Sequence, residues 1–556
     1  MWRLFALLSA VGTGVGAWRL AQTLEPATEY RFLLSLCGLA TIYLTRKALS
    51  RQSPSRSHGS AGFARPTEVA DLLFPVREPL PFASVLLGRL GSDLAALPPP
   101  YTGQHGIIVG GSGTGKSFGF FLPNMALSKG VSCIVTDPKS EIWRYTSGFH
   151  ASTRFAPNEP EASGCFNWIP LCRDARMASL CARAIVEAGA TERQEAPWPD
   201  LEAAFLAALF SHASVIPIPT PLTAYNLLTR TEPAKLMGMF LTSPSIVARE
   251  QAVIFEQTHE RMRGSITPVL AAKLQFLRDP DVARFTSANF AAPDFGRLRI
   301  SPEALYWCVR EQDIALLRPL SSLFFTVLLE QIAGEKGSAT QPVPVHLYFD
   351  EFANIGILPH YETTISLARG RGLSIWHGVQ SLAQLEALYG KPNAQTILTN
   401  CATKIALGGL DVETADYFSR TLGEGTSVVA KRSWSKKRFA LVSMTTSDTT
   451  MEHVRPLLTS DEVRRIGSDK SLVIAGNRRP LLLDRIVYTE APKTAVTSPL
   501  GPARTLPVEL PTLNTAPVDS SEPPPLPSEF RSDRPRKSAR KSRKTASTTV
   551  IQKPVS

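Results

Sequence analysis

The eight residues Gly110-Gly111-Ser112-Gly113-Thr114-Gly115-Lys116-Ser117 satisfy the phosphate-binding pattern GxxxxGK[ST] at every specified position. Such a loop works only where a strand turns into a helix. Consecutive backbone N–H groups must converge on an anion, and the helix N-terminus must add its partial positive charge. The flanks supply that context: His105-Gly106-Ile107-Ile108-Val109 reads as a short buried strand, and residues 118–127 read as a helix. Glycine is needed where the backbone takes φ values closed to side chains or passes too near a phosphate for a Cβ. In this reading Gly110, Gly111, Ser112, Gly113, Thr114 and Gly115 cradle the phosphates of ATP. Lys116 reaches the β- and γ-phosphates, and the Ser117 hydroxyl holds Mg²⁺.

A nucleotide site of this kind needs a second half. Residues 345–349 form an apolar strand that ends in Asp350 and Glu351. Two carboxylates after an apolar run are common and mean little alone. Paired with the upstream loop, they read as an ATPase site in which Asp350 orders Mg²⁺, directly or through water, and Glu351 polarises the attacking water. Residues 373–379 form another strand, ending in Gln380. A polar residue there either senses the γ-phosphate through a water or caps the following helix, 381–389. Residues 131–136, ending in Asp137-Pro138-Lys139, complete a strand–helix–strand unit. The sheet is therefore expected to be parallel, with its ligands at the carboxyl ends of the strands.

The chain has 556 residues, 44% of them apolar, enough for several domains and a sizeable core. From about residue 173 to 277 the pattern switches to long helical segments, such as 201–213 and 246–277, and strands resume at 305–309. The expected organisation is a transmembrane hairpin (1–50), the first part of a nucleotide-binding domain (51–172), an inserted all-α domain (173–294), the second part of the nucleotide-binding domain (295–490) and a disordered basic Pro-rich tail (491–556).

At the N-terminus, two apolar runs, 4–18 and 32–44, are each shorter than the ~20 residues of a spanning helix. One reading is a cleaved signal peptide. The other is a membrane hairpin, favoured by Arg46, Lys47, Arg51 and Arg56 beyond the second run, which place the bulk of the chain in the cytoplasm. The seven cysteines are scattered without zinc spacing and read as reduced thiols. Much of the net charge of +12 sits in the tail, in the basic run 534–544. Such a run suits nucleic acid or anionic lipid, or merely solubilises the tail.

Seven stretches in order resemble the TraG/TraD family of type IV secretion coupling proteins. They are His58-Gly59-Ser60-Ala61, Gly110 to Ser117, Asp137-Pro138-Lys139-Ser140-Glu141, Asp350 to Gly356, Gln380 to Leu385, Thr396 to Ile405, and Arg455-Pro456-Leu457-Leu458. The resemblance implies an α/β, RecA-like P-loop NTPase with a mostly parallel sheet, a membrane-distal all-α domain and an inner-membrane anchor, assembled as a homo-hexamer. It implies ATP hydrolysis that drives single-stranded DNA with its relaxase, or effector proteins, into a type IV secretion channel. Two other readings stay open, a nucleotide-switched substrate receptor without pumping and a DNA pump of the chromosome-segregation type. The resemblance also makes Arg369 the arginine that completes a neighbouring subunit's catalytic site, whereas the residues alone equally allow a helix-end charge. Two departures stand out. Ser140 occupies a position where the family usually has glycine, and the hairpin's outer loop is too short for a folded periplasmic domain.

Overall fold

Short apolar runs punctuated by glycine build a 12-stranded sheet in the order β1-β3-β2-β14-β13-β10-β4-β9-β8-β5-β7-β6. The computed structural model describes residues 59–99, 104–128, 130–188, 198–257, 260–334, 342–436 and 444–488. The expected membrane hairpin and basic tail lie outside them. The parallel centre consists of β4 (Gly106–Val109), β5 (Ser132–Thr136), β6 (Ser152–Phe155), β7 (Ala304–Trp307), β8 (Val345–Phe349), β9 (Leu373–Val379) and β10 (Thr403–Ala406). Every residue of β4, β5, β7, β8 and β9 is buried, because helices cover both faces of a parallel sheet.

Backbone proximity fixes the middle of this sheet. A Cβ on Gly106 would lie 2.3 Å from the Trp376 ring, on the residue paired with it in β9. A Cβ on Gly378 would lie 2.3 Å from the Asp350 carbonyl oxygen. Beneath them His377 bonds through Nδ1 to Gly106 O (2.9 Å) and through Nε2 to the Tyr361 hydroxyl (2.5 Å), tying β9 to β4 and to the helix Tyr361–Ala368.

The antiparallel flank is β13 (Lys470–Ala475), β14 (Leu481–Asp484), β2 (Val85–Leu90), β3 (Asp93–Leu97) and β1 (Leu73–Pro75). Before Leu73 the chain makes two single 3₁₀ turns, Pro66–Glu68 and Ala70–Leu72, and the Pro-rich stretch ahead of the phosphate loop contains the β2–β3 hairpin. That hairpin closes at Gly91, with φ of 63°, as a tight turn between strands requires. A separate hairpin pairs β11 (Glu424–Lys436) with β12 (Met444–Pro456). The Gly59-Ser60-Ala61 stretch meets its base: Ser60 bridges to Gly425, and a Cβ on Gly59 would lie 2.2 Å from Glu424 O.

Between β6 and β7 the described residues form helices and no strand. Within the helical segment read at 246–277, the described residues form the helices Ile246–Gln257 and Glu260–Lys273 and a 3₁₀ turn, Gln275–Arg278. Phe205 packs against Phe240 and Phe255, at ring distances of 5.6 and 4.7 Å, at the centre of this group. Among the described residues one helix, Glu311–Ala333, is long and apolar enough to cross a membrane. It is 67% buried within the fold, and its Phe324 stacks on Trp307 of β7 at 4.2 Å, so it serves as a core helix.

The glycine contacts predict a difference in stability. Gly378→Ala should lower the melting temperature, because backbone must move and overpacking costs about 1–3 kcal/mol. Gly238→Ala, exposed in the helix Pro233–Leu241 with nothing near its added methyl, should raise stability by roughly 0.5–1 kcal/mol. Calorimetric melts of both variants check this, and a Gly378→Ala protein as stable as the parent would contradict the packing described.

Candidate nucleotide-binding site

β4 runs out at Val109, and Gly110 N donates to Val379 O (3.1 Å), so the loop leaves the sheet beside the end of β9. Gly113 and Gly115 take φ of 75° and 78°, the left-handed values that the motif's glycines allow. The Thr114 hydroxyl closes the turn on Gly111 O (2.7 Å). From Ser117 to Phe121 the chain forms a wide π-type turn before the regular helix Leu122–Leu127. A cavity of about 520 Å³ opens over the loop, lined also by Asp137, Glu141, Asp350, Glu351 and Gln380. This is within the usual size of small-molecule sites.

The charged groups of the cavity are brought together from distant parts of the chain. The Ser117 hydroxyl donates to Asp350 Oδ2 at 2.5 Å, and Asp350 N donates to the Thr136 hydroxyl at 2.8 Å. Lys116 is buried; its Nζ donates to Gly110 O (2.6 Å) and lies 4.0 Å from Glu351 Oε2. Burial pulls the Lys116 ammonium below its ordinary pKa, opposed by Glu351 and Asp350. Burial likewise raises both carboxyls, opposed at Asp350 by the Ser117 hydrogen bond and at Glu351 by Lys116. Glu351 Oε1 is buried without a hydrogen-bond partner, while its Oε2 accepts from Gln380 Nε2 at 3.4 Å. The helix Leu382–Tyr389 is capped by Ser381, whose hydroxyl accepts from Gln384 N, which leaves the Gln380 side chain facing Glu351.

Asp137, at the end of β5, accepts from Glu141 N (3.0 Å) and Trp143 N (2.7 Å) and caps the helix Glu141–Thr146. Burial raises its carboxyl to about 6 in spite of those bonds. Ser140 sits in the left-handed region, with φ of 55° and ψ of 24°. This accounts for the family's usual glycine at that position. Here the serine hydroxyl accepts from Arg154 Nη2 at 3.2 Å, a bond glycine could not make.

Gly111, Ser112, Gly113, Gly115, Lys116, Ser117, Asp350, Glu351 and Gln380 therefore line one cavity, Gly110 and Thr114 belong to the same loop without lining it, and Arg369 lies elsewhere. It is exposed in the turn Arg369–Arg371 that precedes β9, at the opposite end of that strand from Gln380. Buried Arg299 holds this turn in place, donating to Arg371 O (2.6 Å) and Val343 O (2.9 Å). Sequence reasoning missed Arg485. Its guanidinium donates to Thr114 O and Gly115 O, both at 2.7 Å, and to Ser468 O at 2.9 Å, bracing the underside of the phosphate loop. A Cβ on Gly119 would lie 2.5 Å from that guanidinium. The spacing of Gly119 behind the motif was the only trace of this contact, and it named no partner.

The family described as Type IV secretory system Conjugative DNA transfer matches residues 85–510. Protein VirD4 of Agrobacterium fabrum (strain C58 / ATCC 33970) is 25% identical over 407 residues, covering 69% of this chain and 58% of that protein. Conjugal transfer protein TraG of Escherichia coli is 26% identical over 403 residues, covering 66% and 62%. The chain thus spans about three-fifths of the length of these relatives. Among solved structures, the unbound bacterial conjugative coupling protein TrwBΔN70 aligns with a TM-score of 0.61 at 18% identity, over 80% of this chain and 98% of that one. Plasmid coupling protein TrwB in complex with ADP and Mg²⁺ gives 0.60 at 18% identity, over 80% and 99%. At such identity the likeness shows the fold alone, an α/β architecture with a mostly parallel sheet. Because the family match runs over more than half of the 556 residues, the chain belongs to the TraG/VirD4 family of type IV secretion coupling proteins.

Proposed function

We propose that this chain hydrolyses ATP with Mg²⁺ at the cavity over Gly110–Ser117 and uses the cycle to drive substrates into a type IV secretion channel. The observation that carries this reading is the contact between Ser117 and Asp350, which joins positions 233 residues apart at one point. A hydroxyl and a carboxylate in contact are the donor set of a hard divalent cation that keeps part of its water shell. The bound cation supplies charge neutralisation at the phosphates, and the rest falls to the chain's own groups. The loop amides and Lys116 hold phosphate oxygens, and Glu351, with Oε1 unengaged and Oε2 steadied by Gln380, takes the proton of the attacking water.

Arg369 acts in this reading on a neighbouring subunit, since it faces solvent away from its own cavity. That arrangement calls for a ring, which we take to be a homo-hexamer. The helices between β6 and β7 form the all-α domain (173–294), set between the two parts of the nucleotide-binding domain, 51–172 and 295–490. Residues 1–50 anchor the chain in the bacterial inner membrane, and 491–556 form a tail. Single-stranded DNA bound to a relaxase, or protein effectors, are the cargo, and channel components are the partners.

Glu351→Gln should keep nucleotide affinity within a few-fold while slowing hydrolysis by about 10²–10⁴. Fluorescent-nucleotide titration and phosphate release measured on one preparation check this, and affinity that collapses together with turnover would make Glu351 structural. Arg369→Ala should bind ATP normally and lose about 10³–10⁵ in rate, far beyond the ~0.3–1 kcal/mol of a helix-end charge. Mixing Arg369→Ala with Lys116→Ala subunits should restore part of the activity, because each mixed interface can pair an intact arginine with an intact loop. Mixed rings that remain inactive would exclude the shared site.

A further inference from the structure

We propose that the cavity beside the nucleotide site, walled by Lys139, Arg144, Arg154 and Arg310, is an anion site that receives the inorganic phosphate set free by hydrolysis. The inference rests on the ATPase reading above for the origin of its ligand. This second cavity, of about 400 Å³, shares Pro138 and Lys139 with the nucleotide cavity. Its walls come from the carboxyl-end loops of β5 and β7 and from β6 itself, strands adjacent in the sheet order. A phosphate leaving the Asp350–Glu351 side of the nucleotide site and moving away from the loop along the strand ends would meet it next.

Charge favours that direction. The nucleotide cavity is lined by the carboxylates of Asp137, Glu141, Glu311, Asp350 and Glu351, facing Lys116 and Lys139. A phosphate no longer bonded to ADP is an anion held by nothing but its own contacts and is repelled by such a wall. The neighbouring cavity reverses the balance, with four cations and one carboxylate, Glu159. Glu159 does not neutralise them. It accepts from Arg154 Nη1 at 2.7 Å and lies 3.8 Å from Arg310 Nη2, whereas exposed Arg144 forms no ion pair among the described residues. The Arg154 side chain is only 12% exposed and is held by Glu159 and the Ser140 hydroxyl, so its fork is positioned in advance, as oxyanion recognition requires. Arg310 is half exposed and opens the far side to solvent.

Between the two cavities stands the Lys139–Glu311 pair at 3.6 Å, with both side chains more than 60% exposed. Pairs this exposed contribute little stability. Lys139 can therefore exchange Glu311 for a passing phosphate at small cost and hand it on to the arginines.

The test uses the full-length protein and an Arg144→Gln/Arg310→Gln variant, both side chains lying outside the nucleotide cavity. With the nucleotide site saturated by a non-hydrolysable ATP analogue, calorimetric titration of inorganic phosphate should show binding to the parent. Binding to the variant should be weaker by at least about tenfold, from the loss of two charge-assisted hydrogen bonds. In single turnovers, chemical quench should show ATP cleaved at the parental rate, while a phosphate-sensing fluorophore reports slower release from the variant. Arg310→Gln alone serves if the double variant melts below the parent. Absence of phosphate binding to the parent, or release from the variant at the parental rate, would overturn the proposal. So would a variant that keeps phosphate binding but loses affinity for single-stranded DNA, which would make the cavity a nucleic-acid contact. If the parent neither binds the analogue nor cleaves ATP, the ATPase reading fails by itself, and the phosphate titration still decides whether the anion site exists.

Discussion

The hydrogen bond from the Ser117 hydroxyl to Asp350 stands at the point on which the rest of the structure converges. It crosses the end of β9, because the sheet order sets β9 between the loop strand β4 and the carboxylate strand β8. Two close approaches make the crossing possible. Gly106 lies under the Trp376 ring, and Gly378 passes the Asp350 carbonyl with no room for a side chain. Sterics at the centre of the sheet therefore set the distance between the two halves of the proposed metal site, and the loop's own geometry follows from Arg485 below it.

Electrostatics explains why these groups are tolerated there. A buried carboxylate or ammonium is costly alone, and here burial shifts Lys116, Asp350 and Glu351 each toward its neutral form. Their mutual contacts offset part of that cost, so the site is a small set of charges that stabilise one another incompletely. An arriving nucleotide and cation would complete it. The cationic cavity next door has the opposite sign, and Pro138 and Lys139 belong to both. Seen together, the two cavities form a gradient along the strand ends from a carboxylate-rich to an arginine-rich wall.

Much of this was legible in the chain itself. The strands β4, β5, β8 and β9 were visible because parallel strands buried on both faces read as near-continuous apolar runs, broken here only by single polar residues such as His346, Ser374 and His377. Asp350, Glu351 and Gln380 were visible because each directly follows such a run. The β2–β3 hairpin escaped because Leu94-Ala95-Ala96-Leu97 carries no period-2 alternation and lies among prolines. Arg485 was illegible for a more general reason: a contact to backbone carbonyls some 370 residues away leaves no spacing rule. Arg369 was legible as a residue but not as a location, since only the topology puts it at the far end of β9 from its own cavity.

In the proposed reading Ser117 and Asp350 together make a metal site for the nucleotide. The most direct measurement is the affinity for a fluorescent ATP analogue with and without Mg²⁺, in the parent and in Asp350→Asn. Magnesium should tighten binding to the parent, and the amide, which keeps the shape but not the charge, should abolish most of that gain while binding without metal stays near the parental level. A full magnesium effect in Asp350→Asn would contradict the account.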